Sequence, residues 1–226
     1  MSRYAVRVGA GAGWFALAGL LIGLVILPAA IAGQPPTTSS SAMEIRDYFS
    51  HPELGILNGY VTGFVAIGFV AFGLGLRSAL ATGTDRDRFF ADLGVALLVI
   101  AMGLNVISGA LVAAGVDATA RGTSDLTQLL AFHNVTFDGL GDVVEGGWIG
   151  AFSIAMLGGA MPRWIGWFGV ALGVAHIGKA LGPFIALPDA IDAVFGVVIA
   201  LWLLATVVAL TRLARQPAAN GMAVRA

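Results

Sequence analysis

The chain of 226 residues is 58% hydrophobic and only 11% charged, with a net charge of −1, where soluble domains carry about a quarter charged residues. A mean hydropathy of +0.90 places such a chain in lipid, and with no basic patch it has no call for a nucleic-acid partner. Cysteine is absent and glycine numbers 32, which excludes disulfides, thiolate metal sites and a cysteine nucleophile and suits close helix crossings.

A membrane-spanning helix needs about 20 mainly apolar residues. Stretches of that kind cover residues 9–33, 56–80, 91–115, 140–161, 164–186 and 190–213. They predict an all-α, polytopic transmembrane bundle of six helices forming one integral membrane domain, residues 1–226, with the lipid bilayer as its first partner. Arg3 and Arg7 before an apolar run ending near Ala30-Ile31-Ala32 suggest a cleavable signal. The uncharged run of about 25 residues exceeds the ~7–15 of a signal core, so a retained span is expected.

Between the first two spans, residues 34–55 form the longest outer loop. Ser41-Ala42-Met43-Glu44 has capping-box spacing, and Ile45, Tyr48 and Phe49 share a helical face, so a short interfacial helix is expected, ended by His51-Pro52. It reads as an amphipathic segment resting at the headgroups, or else as a lid. The other connections carry breakers: Thr82-Gly83-Thr84-Asp85, Arg121-Gly122-Thr123, Met161-Pro162-Arg163 and Leu187-Pro188-Asp189. The fourth span has an N-terminal extension from Asp125 that carries His133, Asn134 and Asp138.

Arg3, Arg7, Arg77, Arg86, Arg88, Arg163, Arg212, Arg215 and Arg225 fall on the side of the N-terminus, leaving Arg46, Arg121 and Lys179 elsewhere. The positive-inside rule then puts both termini in the cytoplasm, as in a multi-pass plasma-membrane protein of the bacterial inner-membrane type. Glycines four apart, Gly19 with Gly23, Gly59 with Gly63, Gly146 with Gly150, Gly169 with Gly173 and Gly178 with Gly182, predict close crossings within the bundle. A homo-oligomer joined through such faces is the second reading.

Charges inside a bilayer need a partner, a wet cavity or a function. Asn134, Asp138, Asp142 and Glu145 are spaced by four, four and three and so share one helical face. At about 1.5 Å per residue from the cytoplasmic ends, Glu145, Lys179, Asn105 and His176 lie roughly 24, 22, 21 and 18 Å deep. Asp142 and Asp138 come out at roughly 28 and 34 Å, near the wet outer edge of a core about 30 Å thick. Ser108 joins Asn105 on one face of the third span, and His176 joins Lys179 on the fifth.

These residues predict an outward-facing polar pocket for a small molecule or ion, in which Glu145 or Asp142 neutralises Lys179 while Asn105 and His176 complete the hydrogen bonding. Proton-coupled movement through Glu145 and Lys179 would fit such a site. The competing reading is a non-catalytic scaffold or regulator whose polar layer only fixes helix register. A third is an intramembrane metal-dependent hydrolase, since His133, Asp138, Asp142 and Glu145 supply ligand types, though in no recognised pattern. No catalytic residue and no cofactor are implied.

The string Met161-Pro162-Arg163-Trp164-Ile165-Gly166-Trp167-Phe168-Gly169 resembles a cytoplasmic turn common in the domain-of-unknown-function 4386 family, bacterial multi-helix membrane proteins. Helix order and loop placement are similar over roughly residues 45–213, while only the Pro-Arg-Trp turn matches as a string. The resemblance implies an all-helical membrane bundle and carries no activity.

Overall fold

A computed structural model describes residues 3–33, 40–122, 136–180 and 190–216; of 136–138, 190, 192 and 193 it describes the backbone alone. The described residues are helical, with no strand among them. Seven helices follow one another: α1 Arg3–Ala32, α2 Ala42–Phe49, α3 Pro52–Leu80, α4 Asp85–Arg121, α5 Asp142–Met156, α6 Arg163–Lys179 and α7 Ala190–Arg215. Helices α1, α3, α4 and α7 are long and apolar enough to cross a membrane.

Local chemistry sets the ends. Ser41 caps α2 through the Glu44 N–H at 3.3 Å, and the Glu44 carboxylate accepts from the Ser41 N–H at 2.6 Å, so the capping box is formed in full. Thr84 and Asp87 do the same for α4. The Asp87 carboxylate accepts from the Thr84 N–H at 2.9 Å and its hydroxyl at 2.8 Å. Those bonds, the backbone one foremost, hold its carboxyl below the ordinary carboxylate range although burial opposes them. At the other end of α4, Gly122 adopts φ +67°, the left-handed cap that glycine takes without strain.

The core runs the length of the bundle and includes Trp148, Trp202, Phe72, Phe152, Leu98 and Ile149, all less than 2% exposed. Helix α1 lies along α3, where Gly9 meets Gly75 backbone to backbone. It also meets α7, where Trp14 Nε1 donates to Thr211 Oγ1 at 3.1 Å. Helices α5 and α6 form the closest pair. A Cβ on Gly146 would come within 2.6 Å of the Gly173 carbonyl oxygen, and one on Gly173 within 2.9 Å of the Gly150 nitrogen, so these glycines permit the crossing. Gly19 and Gly23 meet Val65 and Val61, whereas around Gly63 and Gly178 nothing lies within 4 Å of an added Cβ.

With 37 residues, α4 is about 56 Å long and outruns a hydrocarbon core of about 30 Å. Its far end carries α2. Ile45, Tyr48 and Phe49 are buried with Leu54 and Val116, and the Phe49 ring lies where a Cβ on Gly115 would stand. The apolar face of α2, expected to rest on headgroups or to act as a lid, is spent on this contact with α4.

Three stretches widen into π-helix: Gly19–Ile26 within α1, Leu57–Val61 within α3, and Thr136–Gly141 directly before α5. Such turns are frequent at functional sites. The first gives Leu20 and Leu24 to the cavity described next, the second ends one residue before its Thr62, and the third gives Gly141 to an adjoining cleft.

Candidate functional site

Helices α5 and α6 run antiparallel, so the first turn of α5, with Asp142 and Glu145, stands beside the last turn of α6, with His176 and Lys179. Each charge type sits at the helix end whose dipole favours it. The glycine crossing brings the backbones close enough for short side chains to meet. Lys179 Nζ donates to both Asp142 oxygens at 3.0 Å. His176 Nε2 lies 3.1 Å from Asp142 Oδ1 and 3.3 Å from Glu145 Oε2. These are contacts by distance only: neither ring nitrogen of His176 has a hydrogen-bond partner among the described residues. The imidazole is 3% exposed and packs edge-on against Phe195, ring centres 5.2 Å apart.

Glu145 differs from its neighbours. Its side chain is 27% exposed because it lines a narrow, partly open cavity of about 40 Å³ walled by α1, α3, α4, α5 and α7. The wall is apolar, with Leu20, Val65, Phe69 and Leu203 among its residues, except for Thr62, Asn105 and Glu145. A smaller cleft between Leu104, Asn105, Gly141 and Glu145 adjoins it. With Lys179 charged, two carboxylates leave the cluster one negative charge. One further positive charge, such as a monovalent cation, cancels it, and a divalent ion reverses its sign.

The placement selects between the two acids offered for Lys179 and departs from the expectation elsewhere. Asp142, expected at the wet edge, is 3% exposed, because α6 packs across it with His176 and Lys179. It is Asp142, not Glu145, that pairs with Lys179. Asn105 does not complete the cluster: its Nδ2 donates to the Ala101 carbonyl of its own helix at 3.0 Å, and only its surface faces the cavity. Ser108 is buried on α4 and does not line the cavity. The Asp138 side chain, with Asp125, His133 and Asn134, lies outside the described residues.

Two cavity residues escaped the sequence reading. Trp148 is 1% exposed, lines the wall, and has no partner for its Nε1 among the described residues; its spacing of three from Glu145 was the available signal. Thr62 is buried at the end of the π-helical stretch Leu57–Val61, which no residue pattern announced. Family models, curated proteins and solved structures were compared with the chain, and none matches. The likeness of its Pro162-Arg163-Trp164 turn to the domain-of-unknown-function 4386 family therefore rests on that string and the helix order alone.

Proposed function

We propose that the protein spans the plasma membrane six times, with both termini cytoplasmic, and binds a small molecule or ion from the outer side at the cavity beside Glu145. Four of the helices have the length and apolarity to cross. Helices α5 and α6 join them in one core through Trp148, Phe152, Ile165 and Leu172. The orientation rests on the arginine distribution. Single cysteines at Ser40 and Thr123 should react with an impermeant thiol reagent in intact cells, and one at Thr84 should not. Labelling at 84, or silence at 40, would overturn the topology.

One observation carries the binding reading: a carboxylate opens, with Thr62 and Asn105 beside it, into a mainly apolar cavity between five helices. Few convergent polar groups on an apolar wall are the usual make-up of a ligand site, and an intramembrane acid facing a cavity marks one by default. A specific observation favours the rival, a scaffold held by polar glue, because the half-buried Lys179 closes its pair with the buried Asp142. Glu145 separates the two, since it stands outside that pair. Glu145→Leu and Asn105→Leu should keep the fold yet reduce any ligand-induced rise in Tm found by screening the wild type, because a ligand stabilises the state it binds. A full response in both variants would hand the case to the scaffold.

A further inference from the structure

We infer that Asp142, Glu145 and His176 bind a divalent transition-metal ion of the zinc class at the junction of α5 and α6. The inference rests on reading this cluster as a binding site and names its ligand. One donor atom from each residue lies within 4.8 Å of the other two. His176 Nε2 stands 3.1 Å from one carboxylate oxygen and 3.3 Å from the other. Two ligands bonded at about 2.1 Å to a single tetrahedral or octahedral ion stand roughly 3.0–3.4 Å apart. The two spacings from His176 are thus those of neighbouring ligands on one centre.

A second observation concerns the imidazole. The His176 ring is 3% exposed and neither of its nitrogens makes a hydrogen bond among the described residues, although buried polar groups are paired in the great majority of cases. Nε2 approaches two carboxylate oxygens without pointing its bond at either. A deprotonated Nε2 in this place could share one cation with both oxygens.

The donor set selects the ion. One imidazole and two carboxylates suit Zn²⁺, Mn²⁺, Fe²⁺ or Co²⁺; calcium and magnesium prefer oxygen alone, and Cu(I) prefers sulfur. Since Glu145 also lines the cavity, a three-residue centre here would keep a coordination position toward that space, as sites that exchange water or substrate do. Lys179 is the internal competitor. Its ammonium lies 3.0 Å from both Asp142 oxygens, so an entering ion shares Asp142 with a fixed positive charge.

The test uses the full chain purified in detergent, stripped with a chelator and titrated with Co²⁺ and then Zn²⁺. One equivalent of Co²⁺ should give visible d–d absorption that Zn²⁺ abolishes. His176→Gln and Glu145→Gln, which both leave the Lys179–Asp142 pair in place, should each weaken binding at least 100-fold. Lys179→Met should tighten it about tenfold, a gain that a purely structural ion pair has no means of producing. No Co²⁺ signal in either the wild type or Lys179→Met, or a signal unchanged in His176→Gln, overturns the metal site. Thermal stabilisation by organic compounds in excess chelator, with no metal bound, sinks this inference and leaves the cavity reading standing. In proteoliposomes holding a zinc-sensitive dye, Zn²⁺ entry would identify the bound ion as cargo, and tight retention without entry as a resident centre.

Discussion

Lys179→Met should destabilise the bundle by about 3–5 kcal/mol, the penalty of leaving one member of a buried pair uncompensated, as should Asp142→Asn. The pair is close, with Nζ 3.0 Å from both carboxylate oxygens, and enclosed, with Asp142 3% exposed. Combining Asp142→Leu with Lys179→Met should recover most of the loss, because a well-packed apolar pair can replace a buried ionic one. Glu145→Leu with Lys179→Met should recover little, since Glu145 contacts His176 and the cavity instead. Thermal and denaturant melts in detergent give the comparison. Simple addition of the Asp142 and Lys179 effects would mean that the two are not partners.

Gly146→Val should cost about 1–3 kcal/mol or more by overpacking. The added carbon would meet the Gly173 carbonyl oxygen at 2.6 Å and the Ile177 nitrogen at 2.9 Å. Both are backbone atoms of α6, so no side chain can rotate away and the helices must part. Parting them draws Asp142 from Lys179 and Glu145 from His176, and any ligand or metal response of the site should fall with the Tm. Gly150→Ala is the control one turn along, where nothing lies within 4 Å of the new carbon, and it should be near neutral. A Gly146→Val protein as stable as wild type would show that α5 and α6 do not meet there.

How far the sequence could be read follows from what kind of information each feature needs. The helices were legible because lipid demands long apolar runs, and α1, α3, α4 and α7 lie where such runs fall. The cap at Ser41 and the breaks at Thr84 and Gly122 were legible because they are local chemistry. Spacing of three and four put Asp142 with Glu145 and His176 with Lys179 on common faces. The choice of partner was not legible. Counting rise gave Lys179 a depth nearer Glu145 than Asp142, but a lysine stem reaches several ångströms along the helix surface and chose the outer acid. Nor could counting see that α6 covers Asp142, because depth along one axis says nothing of what packs against it. The π-helical stretches, and with them Thr62 at the cavity, arise from tertiary fit and leave no periodic trace.

The hairpin of α5 and α6 also bears on how the chain enters the membrane. Alone, α5 brings Asp142 and Glu145 in its first turn and α6 brings His176 and Lys179 in its last; a charge costs an isolated helix about 2.5–3.5 kcal/mol at the bilayer centre and less toward the helix ends, where these lie. Asp142 and Lys179 are 37 positions apart in the chain, joined by the short turn that begins at Leu157. An acid that emerged into lipid first would wait for its base. The glycine-lined crossing lets the two segments fold against each other before either meets acyl chains, so on the six-span reading they would leave the insertion machinery as one unit, already neutral across the Asp142–Lys179 contact.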